Sequence, residues 1–215
     1  MGFIAGATCP KAVLVHIAML SGEYPPRWGG MGSVVFHLAT HLAQRGHRVT
    51  VITRRHVDAM RDDELIPTVE GIKVMMVPWK PIPMAFTRSY GKNALKALKS
   101  LHRLDPVDVV HLHLPMISLT TKQVMQIRTG IAPVVSSLHG SWLGERDGMV
   151  LATKHKEAAT WKNPNDLAIL TTGKWYAGYE GQAARASNLC VANSHATKED
   201  FVSRYRLPRE RCEVV

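Results

Sequence analysis

Histidines stand at the ends of two apolar runs: His111 and His113 close "DVVHLH", and His139 follows "PVVSSL". An imidazole can carry a hydrogen bond, a proton or a metal near neutral pH. A second cluster lies in "GEYPPRWGGMGS", where Glu23, two prolines, Arg27 and Trp28 precede Gly29, Gly30, Met31 and Gly32. Glycines let a backbone take positive φ and approach a ligand closely. A helix starting behind them adds unpaired amides and a partial positive charge, suited to a phosphate or a hydroxylated sugar. Glu23 is either a hydrogen-bond partner for a hydroxyl or a solvated loop carboxylate. Ser194, in "ANSHATKEDF", is either a site residue or a helix cap. Three neutral imidazoles make adequate zinc ligands, but His111, His113 and His139 follow no metal spacing, so no metal is expected.

These residues need a scaffold, and the apolar patterning supplies one. Ala12–Met19, apolar but for His16, reads as a strand buried on both faces. Met31, Val34, Val35, Leu38 and Leu42 recur at helical spacing until Gly46 stops the helix. His47–Thr53 and Ile72–Val77 read as strands, and the proline-rich "PWKPIPMAF" between the third strand and the next helix cannot be a central strand. A helix over Ser89–Leu104, a strand in "DPVDVVHLH", a helix over Ile117–Arg128 and a strand over Pro133–Leu138 follow. A long segment of helix formers reaches about Ser187. A strand in "NLCVAN", a short helix in "SHATKEDFVSRY" and a strand beginning at "CEVV" complete the chain. This alternation predicts an α/β protein with a Rossmann-like, doubly wound and mostly parallel sheet. Ligands in such a sheet sit beyond the carboxyl ends of the strands, where both the glycine cluster and His139 fall.

Composition narrows the classes further. The 215 residues suit one domain, and 46% hydrophobic with 20% charged residues describe a globular protein. A net charge of +10 favours anionic partners. No recognised nucleic-acid motif accompanies it, so nucleic acid is not expected. Cys9, Cys190 and Cys212 are few, odd in number and far apart, which fits a reducing, cytoplasmic setting. No secretory leader or membrane-spanning apolar run is read. A dinucleotide site wants G-x-G-x-x-G directly after the first strand and an acidic residue ending the second. Here a long loop intervenes, Val35 stands where the third glycine belongs, and strand two ends Thr53-Arg54-Arg55. Lys92, Lys96, Lys99 and Arg103 form a basic stripe on the helix in "SYGKNALKALKSLHRL". That stripe is either a solvated face or a surface for anionic lipid.

The ordered set "GEYPPRWGGMGSVVFHLATHLAQRGHRVTVIT", "DVVHLH", "PVVSSLHG" and "ASNLCVANSHATKEDF" resembles the N-terminal domain of a retaining GT-B glycosyltransferase. The group is glycosyltransferase family 4, with its glycogen-synthase-like and sucrose-synthase-like members. The resemblance covers nearly the whole chain, with departures at Asn188, where the pattern has Asp, and at Trp28, where glycogen synthases carry lysine. It implies one half of a GT-B fold: residues 1–215 form the acceptor-side domain, and a C-terminal nucleotide-sugar domain lies outside this chain. "EVV" would lead into that second domain, so the chain reads as a fragment. The resemblance further implies transfer of a sugar from a nucleotide-sugar to a sugar or glycolipid acceptor, without cofactor or metal, by a domain inactive alone. His139 would hydrogen-bond the donor sugar beside Gly140. Gly29, Gly30, Met31 and Gly32 would face phosphates or acceptor, with Glu23, Arg27, Trp28, His113 and Ser194 around them. Peripheral attachment to a membrane through the basic stripe is compatible. The alternative is a non-catalytic carbohydrate- or lipid-surface-binding module.

Overall fold

The computed structural model describes residues 13–26, 29–55, 66–157 and 162–215. Arg27 and Trp28 lie outside the described residues, as does Cys9. Seven strands form one sheet: β1 (His16–Leu20), β2 (Arg48–Arg54), β3 (Ile72–Val77), β4 (Val109–Leu114), β5 (Val134–Leu138), β6 (Leu189–Ala192) and β7 (Cys212–Val214). Their order is β3-β2-β1-β4-β5-β6-β7, and every pairing is parallel. The order reverses between β1 and β4, so the crevice at their carboxyl ends is the topological switch point.

Among the described residues six helices cover the sheet: α1 (Gly30–Gln44), α2 (Ala85–Leu104), α3 (Thr121–Gly130), α4 (Trp142–Lys154), α5 (Pro164–Ala186) and α6 (His195–Arg204). All five residues of β1 are buried, as its unbroken apolar run requires of a strand covered on both faces. Ile17 and Met19 pack with Val35 and Ala39 of α1, while Ala18 and Leu20 belong to the larger core with Leu98, Leu112 and Val134. This two-sided division follows from the alternation of side chains along a strand.

Several element boundaries differ from the sequence reading, each for a local reason. β1 begins at His16 rather than Ala12. His16 Nε2 is 2.9 Å from Thr50 Oγ1, so the one polar residue of the run is satisfied inside the sheet. Helix α2 starts at Ala85 instead of Ser89, directly after the prolines. Helix α3 starts at Thr121 instead of Ile117: Thr120 accepts from Gln123 N and closes a capping box, and Ile117 and Leu119 are buried ahead of it. The long helical segment after β5 is two helices, the second opened by Asn163, whose side chain accepts from Asn165 N, and by Pro164 at its first turn. Asn188, where the resembled pattern has Asp, accepts from Val134 N through its Oδ1 at 2.9 Å and ties the start of β6 to β5.

Candidate functional site

The loop after β1 turns on a carboxylate. Glu23 Oε2 accepts from Gly32 N at 3.3 Å, so a side chain from outside the helix caps the third residue of α1. Gly29 precedes α1 with φ −101° and ψ 175°. Gly30 and Gly32 are helical, so the expectation that these glycines serve positive φ is corrected. What Gly29 provides is room: a Cβ there would lie 2.4 Å from Glu23 Oε2. Met31 follows, half-buried against the core face that holds Val35.

The histidines do come together. His111 and His113 alternate onto one face of β4, and their rings stack at 4.3 Å with planes 27° apart. His139, immediately after β5, stacks on His113 at 5.2 Å and 16°. His113 Nδ1 and His139 Nε2 are 2.9 Å apart, and His111 Nε2 is 2.7 Å from Ser137 Oγ. Burial lowers His111 and His139 to about 4 and pushes fully buried His113 well below the ordinary imidazole range. The nearby imidazoles add to the effect for His111 and His113. All three are therefore neutral at pH 7. Between two neutral rings one nitrogen must donate. His113 Nε2 is buried without a partner, and a bare acceptor there costs less than an unpaired N–H. That favours His113 Nδ1–H donating to His139 Nε2, which leaves the proton of His139 on Nδ1. Parallel stacking also keeps the ring nitrogens from converging on one point. No group of three His, Cys, Asp or Glu among the described residues is placed to hold a metal.

The loop that carries His139 is anchored on both sides. His139 N donates to Leu114 O at 3.3 Å, and Asn193 Nδ2 donates to His139 O at 3.4 Å. Gly140 leads to Ser141, which caps α4 by accepting from Gly144 N and donates to Asp200 Oδ2 at 2.6 Å. Beneath it, Glu180 Oε2 accepts from Trp142 N at 3.1 Å and from Tyr205 Oη at 2.6 Å. Burial drives the Glu180 carboxyl up to about 8 despite these bonds. Ser194 caps α6 by accepting from Thr197 N at 3.1 Å, the structural alternative considered for it.

Three residues at this end of the sheet were not picked as site residues from the sequence, although Arg54 was noted at the end of the second strand. Arg54, at the end of β2, is buried, donates from Nε to Gly22 O at 2.5 Å, and lies 4.8 Å and 4.4 Å from the Trp79 and Phe86 rings. Glu145 is raised by burial and by the charge of Glu23. Glu180 is the third. No short-range pattern marks any of them, since each acquires its role from partners far away in sequence. A cavity of about 380 Å³ opens beside the β1 loop, with Arg54, Trp79, Phe86, Met116, Trp142 and Glu145 on its walls.

A parallel, doubly wound sheet with a carboxylate-held glycine turn and a neutral histidine stack at the carboxyl ends of its strands defines a Rossmann-like domain. Residues 28–215 match the profile of Glycosyltransferase Family 4, and the chain belongs to that family. Among curated proteins it is 30% identical over 125 residues to a phosphatidylinositol N-acetylglucosaminyltransferase subunit of Arabidopsis thaliana, covering 58% of this chain and 27% of that protein. It is also 30% identical over 151 residues to the glycogen synthase of Mycobacterium tuberculosis, covering 63% and 36% of the two chains. The chain thus spans about a quarter to a third of the length of these relatives. In fold it is similar to UGT2 of Phytolacca americana, with a TM-score of 0.55, 9% identity and coverage of 93% and 50%. A glycosyltransferase from Rickettsia africae gives 0.50, 14%, and coverage of 94% and 42%.

Proposed function

We propose that this chain is the acceptor-side half of a retaining glycosyltransferase that takes a sugar from a nucleotide-sugar donor. The observation that supports the reading is the placement of the Glu23-braced helix start and the neutral His113–His139 pair at the carboxyl ends of the neighbouring strands β1, β4 and β5. A departing nucleoside diphosphate and an oxocarbenium-like sugar need positioned dipoles more than a covalent partner from this domain. A neutral His139 with its proton on Nδ1 offers a hydrogen-bond donor to a sugar hydroxyl. It does not serve as an obligate base. Gly140 leaves space beside it, since a Cβ there would meet nothing within 4 Å. No metal or cofactor is invoked. The nucleotide is assigned to a facing C-terminal domain, so this half alone is expected to bind but not to turn over.

The relatives' names point to different acceptors, a phosphatidylinositol and a glycogen. The surface of α2 favours attachment to an anionic membrane from the cytoplasmic side. Lys92, Lys96, Lys99 and Arg103 are exposed along it, while Leu95, Leu98 and Leu101 are buried. No helix among the described residues is long and apolar enough to cross a membrane.

The test is nucleoside-diphosphate release by the full-length protein from a panel of nucleotide-sugars, with NMR assignment of the product anomer. Release that falls about a hundredfold in His139→Ala supports the reading. No release from any donor would leave the non-catalytic binding module. Salt-sensitive binding of the present chain to phosphatidylserine vesicles, lost on reversing Lys92, Lys96 and Lys99, tests the membrane surface separately.

A further inference from the structure

The cavity beside the β1 loop has a character that the family match does not supply. Its walls are chiefly Trp79, Ile82, Phe86, Met116, Trp142 and Ile169, and its polar members are few: Arg54, Glu145 and Asn165. They offer few partners for a cluster of hydroxyls. Arg54 spends its Nε on Gly22 O and lies against the Trp79 and Phe86 rings. Glu145 is a single carboxyl on an otherwise apolar stretch of wall. A sugar chain pressed into such a space would leave hydroxyls without partners, at a cost no apolar contact returns.

The cavity nevertheless adjoins the polar site. Met116 Cβ lies 2.9 Å from where a Cβ on Gly22 would be, which sets that wall against the residue before Glu23. Trp142 follows Ser141 of the His139 loop, and its buried indole Nε1 has no hydrogen-bond acceptor. Ile82, 54% exposed, also lines the cavity. A ligand here would have its apolar part among the rings and its polar end toward Glu23 and His139. A volume of about 380 Å³ falls at the small end of ligand pockets.

We infer that the acceptor is an amphiphile whose short apolar group, an alkyl segment or an aromatic ring, fills the cavity walled by Trp79, Ile82, Phe86 and Trp142. This rests on the transferase reading and specifies its acceptor as a non-polysaccharide. The apolar group anchors the acceptor, and the adjoining hydroxyl is presented to the donor sugar at the His139 loop.

The experiment measures binding of methyl, butyl, hexyl and octyl β-D-glucoside to this chain, below their micelle concentrations, by tryptophan fluorescence. Phenyl β-D-glucoside forms the aromatic arm. Affinity should rise up to about fourfold per methylene until the cavity is full. Phenyl glucoside outranking hexyl glucoside would identify the apolar group as aromatic, and the reverse order as alkyl. Ile82→Asp, a change at an exposed side chain that leaves the core intact, should flatten the series, and Phe86→Ala should do so by a different route. A flat series in the unmodified chain overturns the inference, as does a rising one that Ile82→Asp and Phe86→Ala both leave unchanged. Donor-only release of nucleoside diphosphate by the full-length protein is measured alongside. Release with a flat series rejects the apolar acceptor and leaves the transferase standing. A rising series without release from any donor rejects the acceptor assignment together with the transferase.

Discussion

The histidine stack makes acid the sharpest probe of the site. His139 titrates at about 4 when folded against an ordinary 6.5, with burial as the cause. Between these values the unfolded chain binds the proton and the folded chain does not, so stability falls as pH drops through that window. The loss is about 1.4 kcal/mol per pH unit for one histidine. From pH 6.5 to pH 5 that is roughly 2 kcal/mol for His139. His111 and His113 act in the same direction, but their shifts depend partly on their neighbours' charge, so the three do not simply add. Glu180 acts oppositely, being raised to about 8. The clean quantity is therefore the difference between the unmodified chain and His139→Asn. Urea unfolding followed at pH 7.5, 6.5, 5.5 and 5.0 should show that difference shifting by about 2 kcal/mol against the unmodified chain on the acid side. A difference that stays constant across pH, or a His139 ring resonance titrating near 6.5, would refute the buried neutral stack and with it the donor role for His139 Nδ1.

Two further outcomes follow from the same geometry. Gly29→Ala must push Glu23 off Gly32 N, since the new Cβ would sit 2.4 Å from Oε2. The expected cost is about 1–2 kcal/mol, the scale of a lost helix cap, and thermal unfolding should show it vanish when Glu23→Ala is already present. An equal cost in both backgrounds would mean that Gly29 serves something else. Glu180→Gln should gain stability relative to the unmodified chain as pH rises from 5 to 8, by up to about 1.4 kcal/mol per pH unit. The sign follows from a folded carboxyl at about 8 against 4.5 unfolded, whose stabilising proton is lost as pH climbs. Parallel stability profiles for the two proteins would show instead that Glu180 is ionised in the fold.

β1 was readable because it is buried on both faces and written as an apolar run, and it begins within a few residues of the expectation; β2 lies within a residue of it, and the partly buried edge strand β3 falls on Ile72–Val77 as expected. Helix starts were less readable, though their signals were present. Thr120 and Gln123 spell a capping box that the apolar periodicity from Ile117 obscured. Asn163-Pro164 announces a helix in the middle of what looked like one segment. His113 and His139 could be paired in advance, because strand ends in a parallel sheet share one edge. The supports could not. Glu180 meets Trp142 across 38 residues, and Arg54 meets Gly22 across 32. Such contacts depend on how helices cross the sheet, which local patterning does not encode. The glycine turn was located correctly but misread in its physics, since its requirement is space for a carboxylate.

That carboxylate also bears on how labour is divided in the proposed transferase. A leaving diphosphate needs positive charge, and the described groups nearest the switch point offer little. The imidazoles are held neutral by burial, Glu23 occupies an amide at the start of α1, and Arg54 is committed to Gly22 O and two rings. Such a wall repels a phosphate more than it attracts one, yet it suits a hydroxyl that must be oriented without being charged. The cations for the diphosphate would then come from the facing domain, and bond cleavage would wait until the two halves close. On this argument the half described here contributes by preorganisation, holding neutral dipoles that need not rearrange as charge develops.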